Sequence, residues 1–438
     1  MGFLSLLVVS SMPVAELLLI GVAGAYLATA RCNVLTATAR SDINRVVYAV
    51  FTPALMLASL ATTVTLQDVI SCLSIHVSWY YRWFMPVNIG LAFLIGGALG
   101  WLAVLILKPP QHLRGLVVAS CSAANFGNLL LVVIPAVCEQ DGNPFSMAKT
   151  ICSNRGLSYA SFSMAIGGVY IWTYTHSVMK RSGEIQRKLR QESIGALTCE
   201  VDPNNSVASE DNKESSKDDD EDEISPSAKS VKEKAEHQIL VPLLEGSTNS
   251  HQSGGTNSLW EKLKQRAHKI IEELTAPPTM GAVIGLFIGV VPWLRSVFVG
   301  STAPLRPVHD SVKLLGDGTI PCLMLLLGGN LTKGLRKSKV PPAVITAIIF
   351  LRYVILPLIG VGVVRAARDL GFLPPDPLYQ YILMLHFAVP PAMSIGTMAQ
   401  LYDVGQEECS VILLWTYLIA ALALTVWSTV FMWILQVA

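Results

Sequence analysis

The stretch HFAVPPAMSIG, residues 386–396, places two adjacent prolines in the middle of an apolar segment that extends from about Leu378 to Leu401. Proline has no amide hydrogen and clashes with the preceding helical turn, so an α-helix cannot continue undisturbed through Pro390 and Pro391. Within a bilayer, broken backbone is tolerated only where it is buried in protein or lines a polar cavity. The sequence therefore predicts a membrane helix that is broken at this point.

A second break is predicted in the first half of the chain. The tetrapeptide NFGN, residues 125–128, interrupts an apolar segment that extends from about Leu113 to Val137. A pair of broken hydrophobic helices in corresponding positions of two halves is typical of the substrate site of a secondary carrier. The two breaks together predict such a site where they meet.

The composition is that of an integral membrane protein. The 438 residues are 52% hydrophobic and 14% charged, and the mean hydropathy is +0.50, whereas a soluble domain carries about 25% charged residues. The net charge of +1 gives no indication of nucleic-acid binding. Apolar stretches of about 20 residues, long enough to cross a bilayer as α-helices, recur along the chain. They lie near residues 13–30, 43–63, 84–107, 113–137, 157–179, 279–298, 312–331, 342–364, 378–401 and 410–437.

The stretch between residues 180 and 275 has a different composition. It contains the acidic run DDDEDE at residues 218–223, many serines and asparagines, and few aromatic residues. Such a segment cannot bury enough apolar surface to order itself, so a largely disordered, cytosolic hydrophilic loop is predicted, with a regulatory role as the alternative to a plain linker. The loop divides the chain into a first membrane repeat, residues 1–179 with helices 1–5, and a second, residues 276–438 with helices 6–10.

The two membrane halves resemble each other. The pentapeptides PALML, residues 53–57, and PCLML, residues 321–325, both occupy the second predicted helix of their half, and each fourth helix carries a break. Because each half has an odd number of helices, the second half enters the membrane from the opposite side. The predicted fold is an all-α integral membrane protein of about ten transmembrane helices, in a 5+5 inverted repeat with broken, crossing fourth and ninth helices.

The orientation is predicted from the basic residues at the ends of the loop. Lysines and arginines cluster at residues 180–190, after the fifth span, and at residues 262–269, before the sixth. Positive residues close to helix ends tend to stay in the cytosol. The long loop is therefore predicted to be cytosolic, with both termini on the lumenal or exterior side.

Four residues at the breaks are candidate ligands for a small anion. The N-terminal end of each half-helix has unpaired amides and a partial positive charge, which favours a carboxylate. Asn125 and Asn128 can donate side-chain hydrogen bonds, Gly127 allows close approach of the backbone, and Ser394 can donate or accept. The alternative is that the asparagines only satisfy freed carbonyls and that the prolines only kink the helix.

Arg352 lies deep in the eighth predicted span, where a charge is costly and marks a functional candidate. It could attract the anion; the alternatives are a structural ion pair or a side chain that reaches the membrane surface. His386 could relay protons, or it could be a core histidine whose hydrogen bonds are satisfied.

No catalytic residue, metal site or cofactor is predicted. Asp317 and Asp403 resemble parts of intramembrane aspartyl protease motifs, but the motif at Asp317 lacks its first glycine, the order of the motifs is wrong, and Asp403 lies near a helix end. That chemistry also needs two carboxylates in one site. No phosphate-binding glycine loop is present. The 8 cysteines, Cys138 and Cys152 near span ends among them, show no metal-ligand or disulfide-framework spacing, so they are predicted to be small core residues.

Motifs spread over both membrane halves, but not over the loop, carry a family resemblance. They are PALM at 53–56, WFMPVN at 83–88, GNL at 127–129, GLSYASF at 156–162, LLGDGTIPC at 314–322, GGNL at 328–331, PPAM at 390–393, and CSV and WTY between 409 and 417. In these motifs the chain resembles the plant PIN-LIKES (PILS) proteins of the wider auxin efflux carrier family. The resemblance implies a ten-helix, non-enzymatic carrier of the endoplasmic reticulum membrane. It also implies a role in the intracellular accumulation and homeostasis of auxin, indole-3-acetic acid, which limits nuclear auxin signalling.

The resemblance also implies where the substrate binds. It maps the site onto the crossing of helices 4 and 9, at Asn128, or Asn125 in a shifted register, and at Pro390 and Pro391. The family pattern has an asparagine after PPAM, where this chain has Ser394, whose shorter side chain leaves the preference among auxins open. The implied partners are this small aromatic carboxylate and membrane lipid, with a homodimer and the energy coupling left open. The alternative function is a non-transporting membrane sensor or scaffold that acts through its cytosolic loop.

Overall fold

The computed structural model describes residues 3–64, 66, 84–139, 145, 147–199, 275–337 and 340–437. The predicted loop falls mainly on residues 200–274, which lie outside this range. The packed helices come from residues up to Gly183 and from Lys269 onwards, and they form one compact unit. The described chain is almost entirely helical and contains no β-strand longer than an isolated bridge.

The α-helices of the described chain are numbered in order. They are α1 (Phe3–Leu27), α2 (Ala37–Val46), α3 (Thr52–Thr63), α4 (Phe84–Leu107), α5 (Gln111–Ser122), α6 (Asn128–Cys138), α7 (Lys149–Tyr170), α8 (His176–Cys199), α9 (Pro277–Val290), α10 (Pro292–Phe298), α11 (Arg306–Asp317), α12 (Thr319–Lys337), α13 (Pro342–Phe350), α14 (Leu356–Asp369), α15 (Pro377–Leu385), α16 (Ser394–Tyr402) and α17 (Gln406–Val437). Turns of π-helix join α2 to α3 (π1, Val47–Phe51), α7 to α8 (π2, Ile171–Thr175) and α13 to α14 (π3, Leu351–Ile355).

Within the described residues, 5 continuous helical segments are long and apolar enough to cross a membrane: Ala37–Thr63, Phe84–Leu107, Arg306–Leu331, Pro342–Asp369 and Gln406–Gln436. A sixth is obtained if α9 and α10, which meet at a bend of 106°, count as one. Two of the predicted spans are each divided into two short helices, α5 with α6 and α15 with α16, and the divisions fall at the predicted breaks.

Helix α8 continues to Cys199, into the stretch predicted as a loop. Its sequence carries opposite charges four residues apart, as at Glu184 and Lys188, and such pairs stabilise an exposed helix. The first residues of the predicted loop are therefore an extension of the preceding span.

Small residues allow the closest helix contacts. A side chain at Gly328 of α12 would overlap the backbone of Gly21 in α1, and one at Gly281 or Gly285 of α9 would overlap the backbone of α3. In a membrane, helices associate through such close packing, because lipid provides no hydrophobic driving force between them. These glycines therefore fix how α1 meets α12 and how α9 meets α3.

A disulfide joins Cys138, at the end of α6, to Cys152, in the first turn of α7. The prediction that Cys138 and Cys152 are small core residues is wrong. The physical reason is that α6 and α7 pack side by side, which brings the two Cα atoms to 5.7 Å, within the range that a disulfide can bridge. A single pair 14 residues apart has no framework spacing that sequence could reveal.

Candidate functional site

The two breaks lie directly against each other. Ala124 and Pro391 form an isolated antiparallel bridge. The amide of Asn125 donates to the carbonyl of Pro390 at 2.8 Å, and the amide of Ala392 donates to the carbonyl of Ala123 at 3.1 Å. Each break thus satisfies backbone groups that the other has freed, which is the condition for broken backbone within a membrane.

The side chain of Asn125 ties the first break to α17. Its Nδ2 donates to the hydroxyl of Tyr417 at 2.8 Å, and that hydroxyl donates to the carbonyl of Pro391 at 3.0 Å. Its Oδ1 accepts from the amide of Gly127 at 3.3 Å. Asn125 therefore organises the backbone of both breaks as well as facing the adjacent cavity.

A cavity of about 100 Å³ lies on the side of the breaks where α6 and α16 begin. Its wall is mostly apolar, with a small group of polar residues. The apolar side chains are Leu55, Met56, Phe126, Met164, Ile171, Trp172, Ile320, Leu323, Ala392 and Met393, and the polar ones are Thr52, Asn125, Thr319, Ser394 and Thr397. A mainly apolar pocket with a few convergent polar groups is the usual form of a small-molecule site.

Two buried hydroxyls in this cavity have no hydrogen-bond partner. They are Oγ of Ser394, the first residue of α16, and Oγ1 of Thr319, the first residue of α12. Other buried polar atoms of the described chain also lack partners, but none of those lines this cavity. Because buried hydroxyls are normally hydrogen-bonded, this pair marks a place where a bound ligand can supply the missing partner.

The electrostatics of the cavity favour an anion. The starts of α6 and of α16 have no side-chain cap, and as helix N-termini they each carry roughly +0.5 of an elementary charge. With the two free hydroxyls they form a cluster of donors at the wall of an otherwise apolar space. A carboxylate attached to an apolar group matches this arrangement.

Arg352 lies in π3, behind the bridge, and does not line the cavity. Its side chain is buried, and its guanidinium donates to four backbone carbonyls, those of Cys121, Ala123, Val389 and Pro390, at 2.7 to 3.3 Å. The charge of Arg352 is therefore directed at the backbone of both breaks and not at the cavity.

His386 sits in a hydrogen-bond chain that fixes its tautomer. Asn88 Nδ2 donates to the carbonyl of Leu383 at 3.0 Å and to Nδ1 of His386 at 3.1 Å. Nε2 of His386 lies 2.8 Å from Oγ of Ser163, whose own proton goes to the carbonyl of Tyr159 at 2.8 Å. Nε2 therefore carries the proton, and His386 is a neutral core histidine with both ring nitrogens bonded.

The predicted site residues thus occupy three positions. Asn125, Gly127 and Ser394 line the cavity, and Asn128 begins α6 beside it. Pro390 contributes its carbonyl to the bridge, the carbonyl of Pro391 accepts from the hydroxyl of Tyr417, and Arg352 lies behind the bridge. Among the described residues, no three His, Cys, Asp or Glu side chains come together as metal ligands.

Thr319 and the apolar wall are not among the site residues predicted from the sequence. Thr319 is part of the GDGTIPC motif, and Met56 follows PAL, but neither motif specifies which side of its helix faces a cavity. All three π turns of the described chain lie at or near the site. Residues of π2 and the residue after π1 line the cavity, and Arg352 lies in π3. Single π turns in α-helices are frequent at functional sites.

Comparison with known proteins identifies the family of the chain. The family described as membrane transport protein matches residues 9–428. Among curated proteins of Arabidopsis thaliana, the chain is 49% identical to Protein PIN-LIKES 7 over 436 residues, covering 100% of both chains. It is 50% identical to Protein PIN-LIKES 5, covering 99% of this chain and 100% of that protein. It is 40% identical to Protein PIN-LIKES 1, covering 99% of this chain and 81% of that protein.

Proposed function

The chain belongs to the PIN-LIKES family of membrane transport proteins, and we propose that it carries auxin, indole-3-acetic acid, across the endoplasmic reticulum membrane. The observation that carries this proposal is the pair of unpartnered hydroxyls, Ser394 and Thr319, beside two half-helix N-termini in an apolar cavity. Carriage into this compartment removes auxin from the cytosol. It thereby regulates auxin accumulation and limits nuclear auxin signalling.

The two ends of the substrate match two parts of the cavity. We place the carboxylate at Ser394, Thr319 and the amides that begin α6 and α16, where donors and partial positive charge coincide. The indole ring then lies against Trp172, Met56 and the other apolar side chains of the wall. Aromatic rings and thioether sulfurs stabilise a flat aromatic ligand through ring contacts and sulfur–aromatic contacts.

The proposed fold behind this site is a 5+5 inverted repeat of ten spans, residues 1–179 and 276–438, joined by a cytosolic loop over residues 180–275. The paired breaks that bond to each other support this arrangement, since each is the fourth helix of its half in the predicted order. Rocking of one repeat against the other would expose the cavity to each side in turn.

The disulfide supports the proposed orientation. Cys152 lies near the start of a continuous helix, α7–π2–α8, whose other end leads into the loop. From Cys152 to Met179 such a helix rises about 40 Å, more than the roughly 30 Å hydrocarbon core of a bilayer. Disulfides persist in oxidising compartments such as the lumen of the endoplasmic reticulum, which supports a cytosolic position for the loop.

We expect Cys138 and Cys152 to be protected from the cytosol. In a variant in which the other cysteines are serines, a membrane-impermeant maleimide should not label sealed microsomes even after reduction. Labelling should appear once detergent and reductant are both present. Ser206→Cys, in the loop, is the control that should label sealed microsomes. Labelling of Cys152 in reduced but sealed microsomes would show that the orientation is opposite to the one proposed.

The transport proposal is tested by flux. The purified chain in proteoliposomes should take up radiolabelled indole-3-acetate in a saturable manner, whereas indole-3-ethanol, which lacks the carboxylate, should not compete. Empty liposomes give the background. Binding to the purified protein without saturable flux would instead favour the second candidate, a membrane sensor or scaffold that acts through the loop.

A further inference from the structure

Arg352 carries a buried charge and does not line the cavity. Its side chain is 2% exposed, and all its hydrogen bonds in the described structure go to backbone carbonyl oxygens. A single buried cation is costly unless it is compensated, so its surroundings must supply negative charge in another form.

The guanidinium joins the two broken helices at their bridge. Its Nη2 donates to the carbonyls of Ala123 at 3.1 Å and Pro390 at 3.3 Å, the same two oxygens that accept the amides of the bridge. Nη1 donates to Cys121 at 2.7 Å, and Nε donates to Val389 at 3.1 Å. The planar fork therefore contacts two carbonyls from each break, a geometry that an ammonium group cannot reproduce.

The charges on the two sides of the bridge are complementary. The C-terminal end of α5, which carries roughly −0.5 of an elementary charge, and the segment after α15 both direct carbonyl oxygens at the guanidinium. The N-terminal ends of α6 and α16 carry roughly +0.5 each and face the cavity, where one carboxylate would neutralise them. The fixed cation and the bound anion therefore occupy opposite sides of one bridge.

In carriers with broken helices, unwound carbonyls and half-helix C-termini hold the coupling cation. We propose that Arg352 is a positioning residue that fills this place with a cation of the chain itself. It holds the two breaks in register, so that the amides and hydroxyls of the cavity bind the anion with no inorganic cation at these carbonyls. The part of this inference that concerns affinity rests on the proposed function; the part that concerns the fold does not.

The test compares the purified chain with Arg352→Ala, by equilibrium binding of indole-3-acetate and by unfolding temperature. The wild type should give the same values whether the buffer cation is sodium, potassium or N-methylglucamine. Arg352→Ala should bind at least about tenfold more weakly and unfold at a lower temperature, since four carbonyls lose their charged donor. Millimolar guanidinium chloride should restore both quantities by entering the vacated space.

Arg295→Ala is the matched control. Arg295 also donates to a backbone carbonyl, that of Thr62 at 2.8 Å, but it does not line the cavity. Its removal should leave affinity near the wild-type value, and guanidinium should restore nothing.

Three results would overturn the proposal: a sodium or potassium requirement in the wild type, wild-type affinity in Arg352→Ala, or a folded Arg352→Ala that responds to guanidinium in neither quantity. If Arg352→Ala folds neither with nor without guanidinium chloride, the affinity of Arg352→Lys tests the proposal instead. The proposal requires weaker binding from Arg352→Lys, and wild-type affinity there contradicts it. If the wild type binds no auxin, the proposed function fails, while restoration of the unfolding temperature by guanidinium still tests Arg352.

Discussion

The double variant Thr319→Val/Ser394→Ala is expected to bind indole-3-acetate about a hundredfold or more weakly than the wild type. Both hydroxyls are buried, line the cavity and lack a partner, so each is available to the carboxylate. A hydrogen bond to a charged group contributes about 1.5–3 kcal/mol, and two of them correspond to more than two orders of magnitude in affinity. Equilibrium binding to the purified protein measures the effect.

The stability of the unliganded protein separates this role from a structural one. Replacing an unsatisfied buried hydroxyl by an apolar group of similar shape should leave the unfolding temperature unchanged or raise it. The double variant should therefore lose affinity without losing stability. Loss of both together would show that the hydroxyls support the fold.

The control for the double variant is Thr416→Val. Thr416 is also a buried threonine, but its hydroxyl donates to the carbonyls of Ile412 and Leu413 in its own helix. Its replacement should leave auxin affinity unchanged. The two single variants complete a double-mutant cycle, in which a coupling between Thr319 and Ser394 indicates one shared ligand group. Wild-type affinity in the double variant would show that the carboxylate does not bind at Thr319 and Ser394.

The positions of the breaks could be predicted from sequence because their causes are local. Pro390 and Pro391 cannot maintain helical hydrogen bonds, and Gly127 stands beside polar residues within an apolar segment. The structure has a helix boundary at each place. Ser394 could be selected for the same reason, since it lies one turn beyond Pro390.

Other parts of the site depend on contacts between distant residues, which sequence patterns do not report. Arg352 is separated by 231 residues from Cys121, whose carbonyl it contacts. From sequence its charge could therefore be interpreted as a substrate ligand, but its hydrogen bonds to the backbone of the breaks could not be predicted. Thr319 was missed because its exposure to the cavity depends on how α12 packs. The disulfide was missed because two cysteines of unremarkable spacing meet only once α6 lies beside α7.

The last expected result concerns the packing that holds the site together. Gly328→Leu should prevent folding or lower the unfolding temperature severely. A Cβ at Gly328 would overlap the backbone of Gly21, and backbone in a packed helix cannot move aside as a flexible side chain does. Insertion of side-chain atoms into a well-packed interface costs on the order of 3 kcal/mol even where neighbours adjust. Because α12 also supplies Thr319 and Leu323 to the cavity, separation of α1 from α12 should reduce binding in any protein that still folds.

The matched variant is Gly362→Leu in α14. A Cβ at Gly362 meets nothing within 4 Å, so leucine there adds no clash and improves helix propensity by up to about 1 kcal/mol. Thermal unfolding of the two variants in detergent, followed by size-exclusion chromatography, should show a loss for Gly328→Leu and none for Gly362→Leu. Equal unfolding temperatures for both would mean that α1 and α12 do not approach as closely as described, and the position of Thr319 in the cavity wall would then lose its support.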